Sequence, residues 1–545
     1  LLINPKKIML LEVENLTVTY GDDLPAVNRV TFNLQAGEAL GLIGESGCGK
    51  STIGRSLINL LPKGANLEGT IYVDGEEVAK KKDGSWRGEK VGLIFQDPMT
   101  RLDPLMSIYD HGLEVLTSHY PRISRKDAQK KIYESLRAVR IDPTRAKQYP
   151  HQFSGGMRQR VAIALTLLLD PILLIADEPT TSLDVTVASE ILKELTALRK
   201  SRSLGLLLVT HDLGMVAEYC DRIAVMYDGA IVETGNADQI FKEPQHPYTK
   251  KLLASVLHFR PEAIAPEPPN NLNPSPKVIL NVSKLKKRYV TGGNLLTRFM
   301  DRKQGVVKAV DGVNLEIFAG ETFGLIGESG SGKSTTGRAI LQLIKPDRGS
   351  VVFDGVELTT LKPEQMRKMR AKMQMIFQDP RACFSPSMDV FRSVADPLLI
   401  HRIVPNLESA LDRVYKILEK VGLDTQLADR YPSDLSGGQL QRVAIARALI
   451  TNPQFIVCDE PVSMLDASVQ SQVLRLMRDL KAEFKLTYVF ITHDLAVAQF
   501  FCDRIAVMQK GKIVEQGLTE SVLTNPQHEY TKSLLASIPR IPYVI

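Results

Sequence analysis

The string GESGCGKS from Gly44 to Ser51 leaves this chain few folds to choose from. Its glycines at 44, 47 and 49 let the backbone turn tightly, so that successive N–H groups point into one concavity and bind an anion. The string fits G-x-x-x-x-G-K-[ST] at every fixed position, with Lys50 placed to reach the β and γ phosphates of a nucleotide and Ser51 to offer its hydroxyl to Mg²⁺. The apolar run Ala39 to Ile43 reads as a buried strand, and the stretch from Thr52 to Leu61 as a helix whose N-terminus faces the anion. A Gly-rich turn matches such a pattern too, but here the string returns as GESGSGKS after the apolar run Thr322 to Ile326. Gly327, Gly330, Gly332, Lys333, Ser334 and Thr335 then repeat Gly44, Gly47, Gly49, Lys50, Ser51 and Thr52.

A chain of 545 residues is too long for one core. At about 150 residues per domain it should hold three or four folding units, which two similar halves with subdomains satisfy. The apolar fraction of 44% and charged fraction of 24% belong to an ordinary globular chain. A net charge of +6 is weak for this length, and the basic runs Lys80 to Lys82 and Lys284 to Arg288 read as solvated faces, so nucleic acid is not an expected partner. The five cysteines show no C-x-x-C or metal-like spacing, which suits a reducing compartment. No window approaches the roughly 18 consecutive apolar residues of a membrane span, and the opening LLINPKKIMLL reads as too short and wrongly flanked for a leader.

Along the first half, an alternating strand from Leu11 to Tyr20 and a second from Ala26 to Leu34 precede the phosphate loop. Tyr20, like Tyr289 in the second half, could stack on an adenine or pack on its neighbours. The strand Val91 to Phe95 ends at Gln96, and an amphipathic helical region runs from Asp103 to Gln148. Ser154, Gly155 and Gly156 then open a helix expected to reach Leu169; such a start is an anion site or an ordinary Ser cap. The buried strand Ile172 to Ala176 runs into Asp177 and Glu178, adjacent carboxylates that are costly to bury without a cation. Mg²⁺ and its nucleotide would supply that cation, Asp177 holding the metal through water and Glu178 facing the attacking water. Asp184 follows, and the strand Leu204 to Val209 ends before His211.

Pro and Asn crowd the stretch from Pro261 to Pro276, which reads as an extended linker. Three segments are therefore expected: 1–260, a linker at 261–277, and 278–545. After Lys277 the order repeats at a constant offset: Gln378, Ser436, Asp459, Asp466 and His493 stand where Gln96, Ser154, Asp177, Asp184 and His211 stand in the first half. Copies of this length are a duplication rather than a solenoid, whose periods are roughly 20–50 residues. The duplication has a physical rationale. One half supplies a phosphate cradle, metal ligands, the base Glu178 and a γ-phosphate donor, His211, and lacks a cap over the far side of the γ-phosphate. A Ser-Gly-Gly start from the other half would provide that cap, so that two ATP molecules would each be held jointly.

These residues resemble the ATP-binding-cassette (ABC) ATPases over nearly all of both halves. The resemblance implies an α/β fold of two tandem P-loop NTPase domains, each with a RecA-like core, an antiparallel β subdomain and a helical signature subdomain. It assigns Walker A to Gly44–Ser51 and Gly327–Ser334, the Q-loop glutamines to Gln96 and Gln378, and the signature to Ser154, Gly155 and Gly156 and to Ser436, Gly437, Gly438 and Gln439. Asp177 and Asp459 fall in Walker B, Glu178 and Glu460 are the catalytic glutamates, Asp184 and Asp466 the D-loop aspartates, and His211 and His493 the switch histidines. Mg²⁺ would be held by Ser51, Gln96 and Asp177, and by Ser334, Gln378 and Asp459.

FSGGMRQR with ADEPTTSLDVT, and LSGGQLQR with CDEPVSMLDASV, look like the two ATPase subunits of dipeptide and oligopeptide importers, here fused. The tails PQHPYTKKLLASV and PQHEYTKSLLASI are similar to that family's C-terminal extension. The resemblance implies an ATP-hydrolysing motor on the cytoplasmic face of the inner membrane, driving peptide uptake through two separate permease subunits and served by an extracytoplasmic solute-binding protein. Nickel chelates, glutathione or antibiotic peptides are alternative cargoes. A soluble ABC-F translation factor is disfavoured by the proline-rich connection and by the D-loops TSLD and SMLD. Met157 replaces the usual signature Gln, which leaves the site pairing Lys333 with Ser154 the less regular one. No tail cysteine is present to bind an iron–sulfur cluster, so none is expected.

Overall fold

The computed structural model describes residues 9–21, 24–78, 84, 86–96, 101–180, 183–255, 277–291 and 305–538, which fall into two compact units divided between residues 256 and 257. Of the expected linker at 261–277, all but Lys277 lies outside the described residues, as do the basic run at 80–82 and the two chain ends.

In the first unit a six-stranded sheet runs in the order Ala230–Asn236, Arg222–Tyr227, Ala39–Ile43, Gly205–Val209, Leu173–Asp177, Val91–Ile94. The strand Ala230–Asn236 is antiparallel to its neighbour and the rest are parallel. A parallel sheet needs crossovers that cover both faces, which is why Ala39–Ile43, Leu173–Asp177 and Gly205–Val209 are apolar almost end to end and wholly buried. Alternate residues serve different cores. Leu40, Leu42, Leu173, Ile175, Leu207 and Val209 pack against Leu11, Val13 and Leu34 of a second, antiparallel sheet. Ala39, Ile43, Leu174, Ala176, Leu206 and Leu208 pack against the helical layer. The antiparallel sheet runs Val27–Gln35, Met9–Tyr20, Ala65–Val73, Glu76–Glu77.

The helical stretch expected from Asp103 to Gln148 is broken into Ile108–His119, Arg125–Ala138 and a 3-10 turn at Pro143–Lys147. Pro121 cannot continue the first helix, and Ser107, Ser124 and Asp142 each cap a new start by accepting from Asp110 N, Asp127 N and Thr144 N. Two other expected helices are shorter than read. The one after the phosphate loop spans Lys50–Leu57 and gives way where Asn59 takes a left-handed φ of 50°. The one after Ser154 is α-helical over Gly155–Thr166 and tightens to a 3-10 turn at Leu167–Leu169.

The second unit repeats the plan. Its six-stranded sheet runs Lys512–Leu518, Arg504–Gln509, Thr322–Ile326, Thr487–Thr492, Phe455–Asp459, Met373–Ile376. Phe455, Val457, Val489 and Ile491 face the antiparallel sheet, while Ile456, Cys458, Tyr488 and Phe490 face the helices. In both units the loops at the carboxyl ends of four adjacent parallel strands carry the phosphate loop, the His, the Asp-Glu pair and the Gln, the end of an open α/β sheet where ligands bind.

Candidate active site

The chain leaves strand Ala39–Ile43 into a loop that only glycine can trace at Gly49. That residue has φ 101°, and a Cβ there would lie 2.3 Å from the carbonyl oxygen of Ala26. Gly332 repeats it at φ 107°, 2.1 Å from Ala309 O. Lys50, only 5% exposed, folds back over the loop and donates from Nζ to Gly44 O and Glu45 O, both at 2.8 Å. Lys333 does the same to Gly327 O and Glu328 O at 2.7 and 2.9 Å. A buried ammonium whose nearest acceptors are neutral carbonyls is a strong site for an anion.

Ser51 Oγ donates to Asp177 Oδ1 at 2.9 Å, and Ser334 Oγ to Asp459 Oδ1 at 2.7 Å. Burial pushes both aspartates above the usual carboxylate range, against the opposing hydrogen bond from the serine. Asp459 is fully buried; its Oδ2 accepts no hydrogen bond and has Arg338 Nη2 at 3.8 Å. A hydroxyl beside an under-coordinated carboxylate oxygen is a hard-oxygen donor pair that fits Mg²⁺. Among the described residues no group of three His, Cys, Asp or Glu side chains could hold a metal, so an ion here would complete its shell with phosphate and water oxygens.

Glu178 and Glu460 sit in the left-handed region, at φ 46° and 48°, a conformation that costs a non-glycine residue on the order of 1 kcal/mol. Each backbone N–H is tied to the next strand, to Val209 O at 2.8 Å and to Ile491 O at 3.0 Å. The turn delivers the carboxylate to two partners. Gln96 Nε2 donates to Glu178 Oε2 at 2.6 Å, and His211 Nδ1 lies 3.2 Å from Oε1. In the second unit Gln378 Nε2 donates to Glu460 Oε2 at 2.8 Å and His493 Nδ1 lies 3.2 Å from the same oxygen. Burial alone would push the His493 imidazole down, but the Glu460 carboxylate outweighs it and holds the ring above its ordinary value. Burial likewise works against the Glu460 carboxylate, and His493 outweighs it, keeping that pKa low.

Lys50, Ser51, Gln96, Asp177, Glu178 and His211, read separately from sequence, are thus brought to one end of one sheet, and their twins likewise. Ser154 opens a helix of the helical layer instead, and its hydroxyl makes no cap hydrogen bond. Ser436 accepts from Gln439 N at 3.3 Å while Gln439 Oε1 accepts from Ser436 N at 3.0 Å; in the first unit Met157 stands in that place, its Sδ accepting from Arg145 Nη1. Gly156 has a role the sequence did not reveal: a Cβ there would lie 2.3 Å from Val187 Cγ1, on the helix that Asp184 begins. Gly438 meets Val469 in the same way at 2.6 Å, beside the helix that Asp466 begins. Gly155 and Gly437 are less crowded, with Leu183 and Leu465 at 3.5 and 3.8 Å.

The two tyrosines differ. Tyr20 Oη donates to Thr52 Oγ1 at 3.3 Å, at the start of the helix after the phosphate loop, whereas Tyr289 is 42% exposed with Lys287 Nζ 5.6 Å from its ring centre. The tail tyrosines Tyr248 and Tyr530, which could have done no more than pack a terminal helix, reach the phosphate loops: their hydroxyls accept from Glu45 N at 3.2 Å and Glu328 N at 3.1 Å.

Against known proteins, residues 27–181 and 310–463 match the family described as ABC transporter, and residues 232–279 and 514–543 match the oligopeptide/dipeptide transporter C-terminal region. Relatives include the glutathione import ATP-binding protein GsiA of Escherichia coli (strain K12), 41% identical over 564 residues that cover 97% of this chain and 89% of that protein. The protein of the same name from Shigella boydii serotype 4 (strain Sb227) is 41% identical over 562 residues with the same coverage.

Proposed function

The chain belongs to the ABC transporter family as two fused ATP-binding cassettes, an importer ATPase, and on that premise we propose how its residues turn ATP over and what it drives. The observation that carries the reading is the Gln–Glu–His cluster beside the Lys–Ser–Asp cluster, present once in each unit.

Lys50 and Lys333 take the β and γ phosphates in place of the loop carbonyls they now hold. Ser51, Asp177 and Gln96, with Ser334, Asp459 and Gln378, are the residues that would hold Mg²⁺, the aspartates through water. When bound, the ion neutralises charge on the β- and γ-phosphate oxygens. Glu178 and Glu460 accept the proton of the attacking water, and their fixed left-handed turn keeps the carboxylate aimed without reorganisation. His211 and His493 give Nδ1 to the glutamate, so a γ-phosphate contact falls to Nε2. The resemblance to the ABC ATPases implies that each ATP would be capped by the Ser-Gly-Gly helix start of the other cassette, pairing Ser436 with Lys50 and Ser154 with Lys333. The positive end of a helix and its unpaired N–H groups suit that task.

Closure around two ATP and opening after hydrolysis drive two separate permease chains, at the cytoplasmic face of the membrane, fed by an extracytoplasmic binding protein. Among the described residues no helix is long and apolar enough to cross a membrane. The duplicated peptide-transporter tail and relatives named for glutathione import support a short peptide, glutathione included, as cargo. The test is ATPase activity of the chain reconstituted with its permeases and binding protein in vesicles. Di- to tetrapeptides or glutathione should raise the rate; stimulation by a nickel chelate and by no peptide would overturn the cargo.

A further inference from the structure

Each tail joins the active site of its own unit through a tyrosine hydroxyl on the phosphate loop. The peptide group linking Gly44 to Glu45 is held at both ends: its carbonyl oxygen, Gly44 O, accepts from Lys50 Nζ at 2.8 Å, and its N–H, Glu45 N, donates to the Tyr248 hydroxyl at 3.2 Å. The second unit repeats the clamp on the Gly327–Glu328 peptide, with Lys333 Nζ at 2.7 Å and the Tyr530 hydroxyl at 3.1 Å. These tyrosines come from segments about two hundred residues further along the chain, so the contact is tertiary and is made twice independently.

From this we infer that Tyr248 and Tyr530 are positioning residues for the phosphate-binding lysines, acting through one shared peptide group in each cassette. A hydroxyl that fixes the N–H end of a peptide also fixes the direction of its carbonyl, and hydrogen bonds in series polarise one another. The lysine is thereby held over the loop at the start of its reach to the phosphates.

The tyrosines are themselves held. Glu233 accepts from Gln245 N and His246 N at 2.7 and 3.0 Å, and His246 Nδ1 accepts from Tyr248 N at 3.2 Å, so the turn that presents Tyr248 is anchored to strand Ala230–Asn236. Glu515, Gln527, His528 and Tyr530 repeat the arrangement. Tyr248 is buried and its ring lies against Tyr227, 4.3 Å between centres, whereas the second unit has Gln509 at the corresponding position and a Tyr530 that is only half-buried. The first clamp is the better fixed of the two.

The inference rests on the ATPase reading, and the test separates them. Steady-state ATP hydrolysis is measured on the full chain, on Tyr248→Phe with Tyr530→Phe, and on Lys50→Ala with Lys333→Ala. The Phe variant removes only the two hydroxyls, and losing a hydrogen bond of ordinary strength should raise KM for ATP about fivefold while kcat stays within about twofold. If the tyrosines merely secure the tail, fewer molecules are active, and kcat falls at unchanged KM; that outcome, or both constants unchanged, overturns the inference. If instead the lysine variant hydrolyses ATP at the parent rate, it is the reading of the lysine loops as the ATP sites that fails.

Discussion

Gln96 Nε2 lies 2.6 Å from Glu178 Oε2, so the amide following one edge strand of the sheet steers the carboxylate following its neighbour. A hydrogen bond to a charged acceptor is worth about 1.5–3 kcal/mol, and here that energy holds the angle of the proposed base. Replacing Gln96 and Gln378 by Ala should lower kcat about tenfold or more, with the equilibrium Kd for ATP changed by less than about threefold. Stopped-time ATPase assays beside equilibrium binding check both halves of that expectation.

Glu178→Gln with Glu460→Gln keeps the size of the side chain and one acceptor oxygen, but removes the proton acceptor. Turnover should fall by about 10²–10⁴ while nucleotide still binds. Phosphate release in a single-turnover assay reads the first, and binding of a fluorescent ATP reads the second. Hydrolysis at the parent rate would mean that the roles are misassigned.

Gly156 packs so closely on Val187 that an added methyl has no room, with Val187 Cγ1 at 2.3 Å. Gly156→Ala should destabilise the first unit by about 1–3 kcal/mol, the usual cost of overpacking, and Val187→Ala in the same chain should return much of it. Urea unfolding of the full chain, followed by local hydrogen exchange in residues 155–202, measures the change.

The comparison of Gly156 with Gly49 explains what was legible in the sequence. Gly49 belongs to a local pattern whose every member lies within eight residues, and strand, loop and helix follow from spacing alone. Gly156 is small because of a helix that begins about thirty residues later, and one-dimensional order carries no trace of that approach. The same applies to Glu178, whose carboxylate was identifiable but whose left-handed backbone and pairing with Gln96 depend on three strands lying side by side. Sequence order does not separate the surroundings of the two tyrosines either: Tyr289 is exposed beside Lys287, while the Tyr20 hydroxyl bonds Thr52 at the start of the helix after its loop. Two helical stretches end earlier than their apolar patterns suggest, where Pro121 and the left-handed Asn59 interrupt them.

The tail anchors should weaken in acid. Burial works against the carboxylates of Glu233 and Glu515, but the backbone N–H groups of Gln245, His246, Gln527 and His528 outweigh it and hold both below the ordinary Glu value of 4.5. A folded pKa below the unfolded one means that the stabilisation is present in full above about pH 4.5 and is lost as pH falls through the lower folded value. Hydrogen exchange of residues 244–255 and 526–536, corrected for intrinsic rates, should show protection falling across that window in the parent and little pH dependence in Glu233→Gln with Glu515→Gln.

The central claim is that each ATP is gripped by the lysine loop of one cassette and capped by the serine–glycine turn of the other. The most direct measurement is the ATP retained per chain after rapid gel filtration, in the Glu178→Gln, Glu460→Gln background with Mg²⁺. Adding Lys50→Ala with Ser436→Arg damages a single shared site and should leave one ATP bound, whereas Lys50→Ala with Ser154→Arg damages both and should leave none. Retention of one ATP by the second combination and none by the first would place each lysine with the serine of its own cassette and contradict the account.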